Sequence, residues 1–343
     1  MTSRELVYRT LDFENTGHRA PRDLWTLPWA KIHQPEGLAR IQRDFEWDLS
    51  SPETVYRTPG IARGDAYTVG EYRDDWGCVF VNIHQGIIGE VKQPLLQGPD
   101  WEDADKAHVP EEWLDFDADA VNRACAASDR FLLAPACPRP FEQLQFLRGT
   151  AQLYMDLMDM GAGFRAFLSR MHDFYCRLML AWAKTDVDAL RFMDDWGAQR
   201  GLLISPKLWS EVFQPLYQDY IDIAHSHGKR IFMHSDGDTS AILPILADMG
   251  LDAVNAQLFC IGMEKLAPLR GRLTFWGEID RQHLLPEGTP ADIDAAVKKV
   301  YDTLWQNGGC IAQCEFGPGG KAENVYQVYR SWDRLTGGRA EDA

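Results

Sequence analysis

From about residue 130 the chain alternates short apolar runs with longer stretches of helical period. The apolar runs fall at 131–136, 189–193, 230–233, 253–258, 273–276 and 310–313. Short runs of this kind, rich in Val, Ile, Leu and Phe, read as buried strands. The helical patterns lie between them, at 150–160, 163–185, 206–227, 239–249, 262–269 and 291–306. Ser205 before Pro206 is a helix start, and Met249-Gly250 is a helix stop. Strands alternating with helices imply a parallel sheet. With a further candidate at 23–27, the strand count approaches the eight of a (β/α)8 TIM barrel. A doubly wound sheet would carry a glycine-rich loop after its first strand. The segment Cys137-Pro138-Arg139-Pro140 is not one, so an α/β barrel is expected.

Residues 1–125 have a different texture, irregular and rich in Pro, Asp and Trp. The stretch 66–95 reads as hairpin strands, and the acidic stretch 101–120 as surface loop and short helix. The expected organisation is an N-terminal lobe with a hairpin, residues 1–125, that contributes to the barrel, followed by the main part of the barrel, residues 126–343.

Composition changes this picture little. Apolar residues make up 45% of the 343, enough for a large core. The formal net charge is −16 with no basic run, which argues against a nucleic-acid partner. Neither a secretory leader nor a membrane span is evident. Seven scattered cysteines suggest a reducing compartment, hence a cytoplasmic protein, rather than a disulfide framework.

A barrel places its chemistry where the strands end. The strand at 230 runs into His234-Ser235-Asp236-Gly237. Side chains alternate along a strand, so His234 and Asp236 project to one side and can grip one metal ion or polar group. The strand at 310 ends in Cys314 and Glu315. A His, an Asp and a Cys make a plausible open zinc site. The blander alternative is that His234 and Asp236 bond each other and cap the next helix. Other strand ends bring Arg139 and Glu142, Asp194-Asp195-Trp196, Asn255 and Gln257, and Trp276 with Glu278 and Asp280. Cys310 shares the face of Cys314 one layer deeper and reads as core. Cys260 is a weaker candidate, and His225 and His227 sit at a helix end where charge alone explains them.

Several ordered segments resemble the uroporphyrinogen decarboxylase superfamily. They are Asp194-Asp195-Trp196-Gly197 with Gln199 and Leu203-Ile204-Ser205-Pro206, then Ala224-His225-Ser226-His227-Gly228-Lys229 with the following His234-Ser235. Leu251-Asp252-Ala253-Val254-Asn255, Phe275-Trp276-Gly277-Glu278-Ile279-Asp280-Arg281 and Glu323-Asn324-Val325 follow in order. Weaker traces are Arg19-Ala20-Pro21-Arg22 and Asp74-Asp75-Trp76-Gly77. The resemblance covers roughly 130–335 and implies a (β/α)8 barrel.

The arginine-rich N-terminal loop of the true decarboxylases, with its Gln-Ala-Gly-Arg-Tyr motif, is missing. The other branch of the superfamily comprises zinc methyltransferases that serve corrinoid proteins. Their zinc is held by a His-x-Cys pair and a distant Cys, and the spacing of His234 and Cys314 resembles that pattern. Asp236 stands where the middle Cys would be. The resemblance therefore implies zinc on His234, Asp236 and Cys314, and a corrinoid carried by a partner protein. A carboxylate is a harder ligand than a thiolate, which favours an oxygen-bearing substrate over a thiol. Asp194 and Glu278 are the expected acid–base residues. Asp195, Trp196, Asn255, Gln257, Trp276 and Glu142 are expected around the substrate, with Trp25 and Trp76 adding aromatic wall. The alternative reading is a barrel lyase or decarboxylase acting on a small carboxylated substrate.

Overall fold

The computed structural model describes residues 1–337. Eight parallel strands form a barrel. They are β1 (Arg22–Thr26), β2 (Leu49–Ser50), β3 (Phe131–Leu132), β4 (Ala189–Met193), β5 (Arg230–Ser235), β6 (Ala253–Ala256), β7 (Thr274–Trp276) and β8 (Cys310–Phe316). Six make one continuous sheet in the order β1-β8-β7-β6-β5-β4. β2 pairs with β3. The ring closes where the Asp48 amide donates to the Arg22 carbonyl at 3.0 Å, and where the Ala134 amide donates to the Ala189 carbonyl at 2.9 Å. The barrel expected from the sequence is the fold observed.

Alternation sorts the side chains of each strand. Phe232 of β5, Ala253 of β6, Trp276 of β7 and Ile311 of β8 form the interior cluster with Phe131 and Leu133. Their sequence neighbours Ile231, Met233, Val254, Phe275 and Ala312 join the larger core between strands and helices. The helix Ser3–Leu11 plugs the N-terminal end, burying Val7 and Leu11 against that interior cluster. A reciprocal capping box between Thr2 and Glu5 starts it, stabilising such a helix by ~1 kcal/mol. The helix Ala322–Thr336 packs outside β8 and meets β1 through the buried Arg22–Asp333 pair at 2.5 Å.

The hairpin expected in 66–95 is present as three antiparallel strands, Gly70–Arg73, Val79–Asn82 and Glu90–Val91. Asp74 makes its turn by accepting from the Trp76 and Cys78 amides. The expectation of a surface segment at 101–120 needs correction. Trp101 and Phe116 are buried, and Trp101 lies against Phe164 and Phe167 of the long helix Ala162–Ala183. The helical stretch at 206–227 is two helices, Pro206–Val212 and Gln214–Ser226. Among the described residues, no helix is long and apolar enough to cross a membrane.

Candidate active site at the C-terminal mouth

His234 points into the barrel at the end of β5. Its Nδ1 lies 2.6 Å from Oδ1 of Asn255. The amide of Asn255 is fixed in turn, because its Nδ2 donates to the Trp276 carbonyl and, at 3.1 Å, to Oε1 of Gln313. Asn255 therefore offers only an acceptor to His234, so the imidazole carries its proton on Nδ1. The lone pair of Nε2 faces outward, 3.5 Å from Asp195 and 3.7 Å from Asp236. A second group orienting the far nitrogen is what metal-binding histidines ordinarily have.

Asp195, His234 and Asp236 bring their ligand atoms within 4.8 Å of one another. The separations of 3.5 and 3.7 Å match two ligands of one ion at bond lengths of ~2.0–2.2 Å. Oδ1 of Asp236 is buried with no hydrogen-bond partner. A nitrogen and two carboxylates thus fit a divalent ion. The loops that carry them are laced together by backbone. The Gly197 amide donates to the Asp236 carbonyl and the Asp238 amide to the Ala198 carbonyl. Gly237 sits at φ 77°, and a Cβ there would lie 2.1 Å from the Gly197 oxygen. Only glycine permits this approach.

Around this centre lies a belt of carboxyls. Glu278 follows β7 and is 2% exposed, with Oε2 unpartnered. Burial, only partly offset by Arg281, pushes its carboxyl up to about 8. Glu315 and Glu142 are also raised by burial, against the opposing pull of Arg281 and Arg139 respectively. Arg281 ties the belt together. It pairs with Asp236, with Glu315 at 2.8 Å and with Glu278 at 3.5 Å. Deeper in the barrel, Asp23 of β1 accepts from the indoles of Trp25 and Trp276 at 3.0 and 2.9 Å. The Trp25 ring stands 5.3 Å from that of His234 and edge-on to Trp276. A cavity of about 110 Å³ opens beside Glu278, lined by Gln257, Phe259, Cys260, Arg281 and neighbours.

The sequence expectations divide accordingly. His234, Asp236, Asp195, Asn255, Glu142, Gln257, Trp276 and Glu278 all converge on the mouth or its floor. Four expected positions do not. Cys314 faces outward, because β8 turns Ile311, Gln313 and Glu315 inward and Cys310, Ala312 and Cys314 towards the helices. Its Sγ contacts the Tyr329 hydroxyl at 3.4 Å, and burial pushes the thiol up to about 12. It is not brought to His234 and Asp236. Asp194 faces away from the barrel interior. Its oxygens accept from the Phe141 and Glu142 amides and the Tyr217 hydroxyl, so it caps the helix Pro140–Arg148 instead of meeting substrate. Trp196 is fully buried, stacked on Phe141 at 4.0 Å. Trp76 is likewise core, against Phe174 and Tyr175. Arg281 and Asp23 were not anticipated. The signal for Asp23 was a lone carboxylate within an apolar strand, and for Arg281 its place three residues after Glu278.

A second group of potential ligands, His172, Cys176 and Asp219, lies on the outer helices.

The model of the family described as uroporphyrinogen decarboxylase (URO-D) matches residues 75–333, most of the chain. The chain belongs to the uroporphyrinogen decarboxylase family. Among solved structures, this family member is similar to a methyltransferase from Methanosarcina mazei. The two are 15% identical, covering 97% of this chain and 99% of that one, with a TM-score of 0.65. That likeness is one of fold. A glycosylated endo-β-1,4-xylanase of glycoside hydrolase family 10 from Gloeophyllum trabeum overlaps at 11% identity and a TM-score of 0.44, covering 93% of this chain and 98% of that one. A search among curated proteins finds no sequence match.

Proposed function

We propose that this uroporphyrinogen decarboxylase family member is a metal-dependent methyltransferase. In this reading it takes a methyl group from a small oxygen-bearing substrate and passes it to a corrinoid on a separate protein. The observation that carries the reading is the convergence of Asp195, His234 and Asp236, with an unpartnered buried oxygen on Asp236, at the mouth of the barrel. The activity of the Methanosarcina mazei protein, a methyltransferase, lends the choice of reaction.

Asp195, His234 and Asp236 would hold the ion, and zinc suits one nitrogen and two carboxylate oxygens. When bound, such an ion polarises a substrate oxygen. The chain's own groups do the rest. Asn255 keeps the His234 lone pair aimed at the ion site. Arg281 holds Asp236 and Glu315 in place. Glu278, kept protonated by burial, donates its proton to the oxygen as the C–O bond breaks. The electron pair of that bond would stay on oxygen, and a reduced corrinoid on the partner would supply the electron pair that accepts the methyl. Trp25 and Trp276 form an apolar floor that keeps water from the departing methyl.

The test supplies the metal-loaded protein with reduced corrinoid and a panel of methoxy compounds and methylamines. At least one should yield methylated corrinoid, seen in its absorption spectrum. A second reading, decarboxylation, is favoured by two features. The thiol of Cys314 is turned away, and a protonated Glu278 stands ready to quench a carbanion. If no substrate methylates the corrinoid and small carboxylated substrates release carbon dioxide, decarboxylation takes the place of methyl transfer.

A further inference from the structure

His172 and Cys176 stand one turn apart on the helix Ala162–Ala183, so they share a face. That face packs outside the barrel against the helix Gln214–Ser226, which presents Asp219. Nε2 of His172 lies 2.8 Å from Oδ2 of Asp219 and 3.4 Å from Sγ of Cys176. The three ligand atoms fall within 4.8 Å of one another. Two ligands at ~2.0 and ~2.3 Å from a tetrahedral zinc sit roughly 3.5 Å apart, which is where the imidazole and thiol already stand. The 2.8 Å between His172 and Asp219 is shorter than two ligands of one ion keep, so the carboxylate must swing outward, and Asp219 is exposed enough to do so.

An independent feature points the same way. Nδ1 of His172 meets the buried hydroxyl of Tyr220 at 3.4 Å. In the ion-free protein Nε2–H donates to Asp219; when an ion displaces that proton, Nδ1–H can donate to the Tyr220 hydroxyl, the orienting contact that metal-binding histidines use. The neighbouring cation does not compete. Arg177 is engaged by Glu111 and Asp173.

We propose that His172, Cys176 and Asp219 hold a second divalent ion of the zinc class, which cross-links the two helices on the outer face of the barrel. The ion is three-coordinate to protein, and water completes the tetrahedron. It is a clamp, remote from the mouth, and it stands whether or not the reaction proposed above is correct.

Stripped full-length protein is titrated with zinc and, separately, with cobalt. The wild type should bind one ion outside the mouth and show a thiolate-to-cobalt charge-transfer band. Cys176→Ala and His172→Ala should each lose one equivalent and the band, whereas His234→Ala should keep both the band and that equivalent. Tyr220→Phe should weaken this site by about tenfold, the cost of losing an orienting contact. Zinc should raise the Tm of His234→Ala but not of the double variant that also lacks Cys176. Should Cys176→Ala lower the stability too far, Asp219→Asn, at an exposed position, gives the same reading by a weaker Kd. A wild type without the band, or a Cys176→Ala protein with the band and full stoichiometry, overturns the assignment.

Discussion

The two ends of the barrel carry charge in opposite ways. At the N-terminal end Asp188 accepts from the Leu132 amide at 2.7 Å, from Arg4 at 3.1 Å and from the Tyr8 hydroxyl at 3.1 Å. The helix Ser3–Leu11 then covers it with apolar side chains. At the C-terminal mouth, Asp236 Oδ1 and Glu278 Oε2 are buried with no hydrogen-bond partner among the described residues. An unpaired buried oxygen costs ~1–3 kcal/mol. The carboxylate at one end is satisfied within the protein, and the two at the other keep an oxygen open, as the proposed metal site requires.

That contrast breaks most sharply at His234. In His234→Ala the mouth ion should be lost, and with it at least ~100-fold of any activity, since a divalent site with one ligand removed loses much of its affinity. Metal analysis beside a turnover assay checks this; full metal content in the variant would erase the distinction. At the other end, Asp188→Ala should cost about 2–3 kcal/mol of stability by leaving the Leu132 amide and Arg4 unpaired. Denaturant titration measures it, and metal stoichiometry at the mouth should not change.

Glu278 sharpens the comparison through pH. Its carboxyl stands at about 8 in the folded, metal-free protein, against ~4.3 in an unfolded chain. Between those values the folded state holds a proton that the unfolded state has lost. Its contribution to stability is therefore full below pH ~4.3 and declines steadily as pH rises towards 8. Glu278→Gln lacks that slope. Its stability relative to the wild type should increase between pH 5 and 8, as read from denaturation midpoints; parallel curves would mean the carboxyl is already ionised. The smallest effect is expected at Cys314. Cys314→Ala should remove about 1–2 kcal/mol of packing and leave the mouth ion in place. Loss of that ion would restore the thiol as a ligand.

Much of the barrel is legible in the sequence because its strands are buried on both faces and read as apolar runs. β4 is found at the expected 189–193, and β5 through β8 lie within a few residues of their runs. β2 is not legible. Leu49–Ser50 is too short to show any period, and only the ring around it makes it a strand. The plugging helix was legible in the Thr2–Glu5 spacing of a capping box, which a search for leader segments passes over. Within the site, alternation correctly pairs His234 with Asp236. It also tells against Cys314, whose run of Cys310, Ala312, Cys314 and Phe316 is the apolar face of β8, while Gln313 and Glu315 are the polar one. Spacing borrowed from a family fixes distance along the chain but not the side of the strand. Asp194 and Asp195 show the same parity. The carboxylate facing the helices became a cap, and its neighbour faces the mouth.

The hydrogen-bonded chain behind His234 has a mechanical side. It runs from the imidazole to Asn255, to Trp276 and Gln313, and from the Trp276 indole to Asp23. Five strands, β5, β6, β7, β8 and β1, are thereby yoked to one ring. A ligand that pulls on His234 pulls on the hoop of the barrel itself. Loading the mouth should therefore slow amide exchange along those strands, far from the point of contact, while the hairpin of the N-terminal lobe exchanges as before.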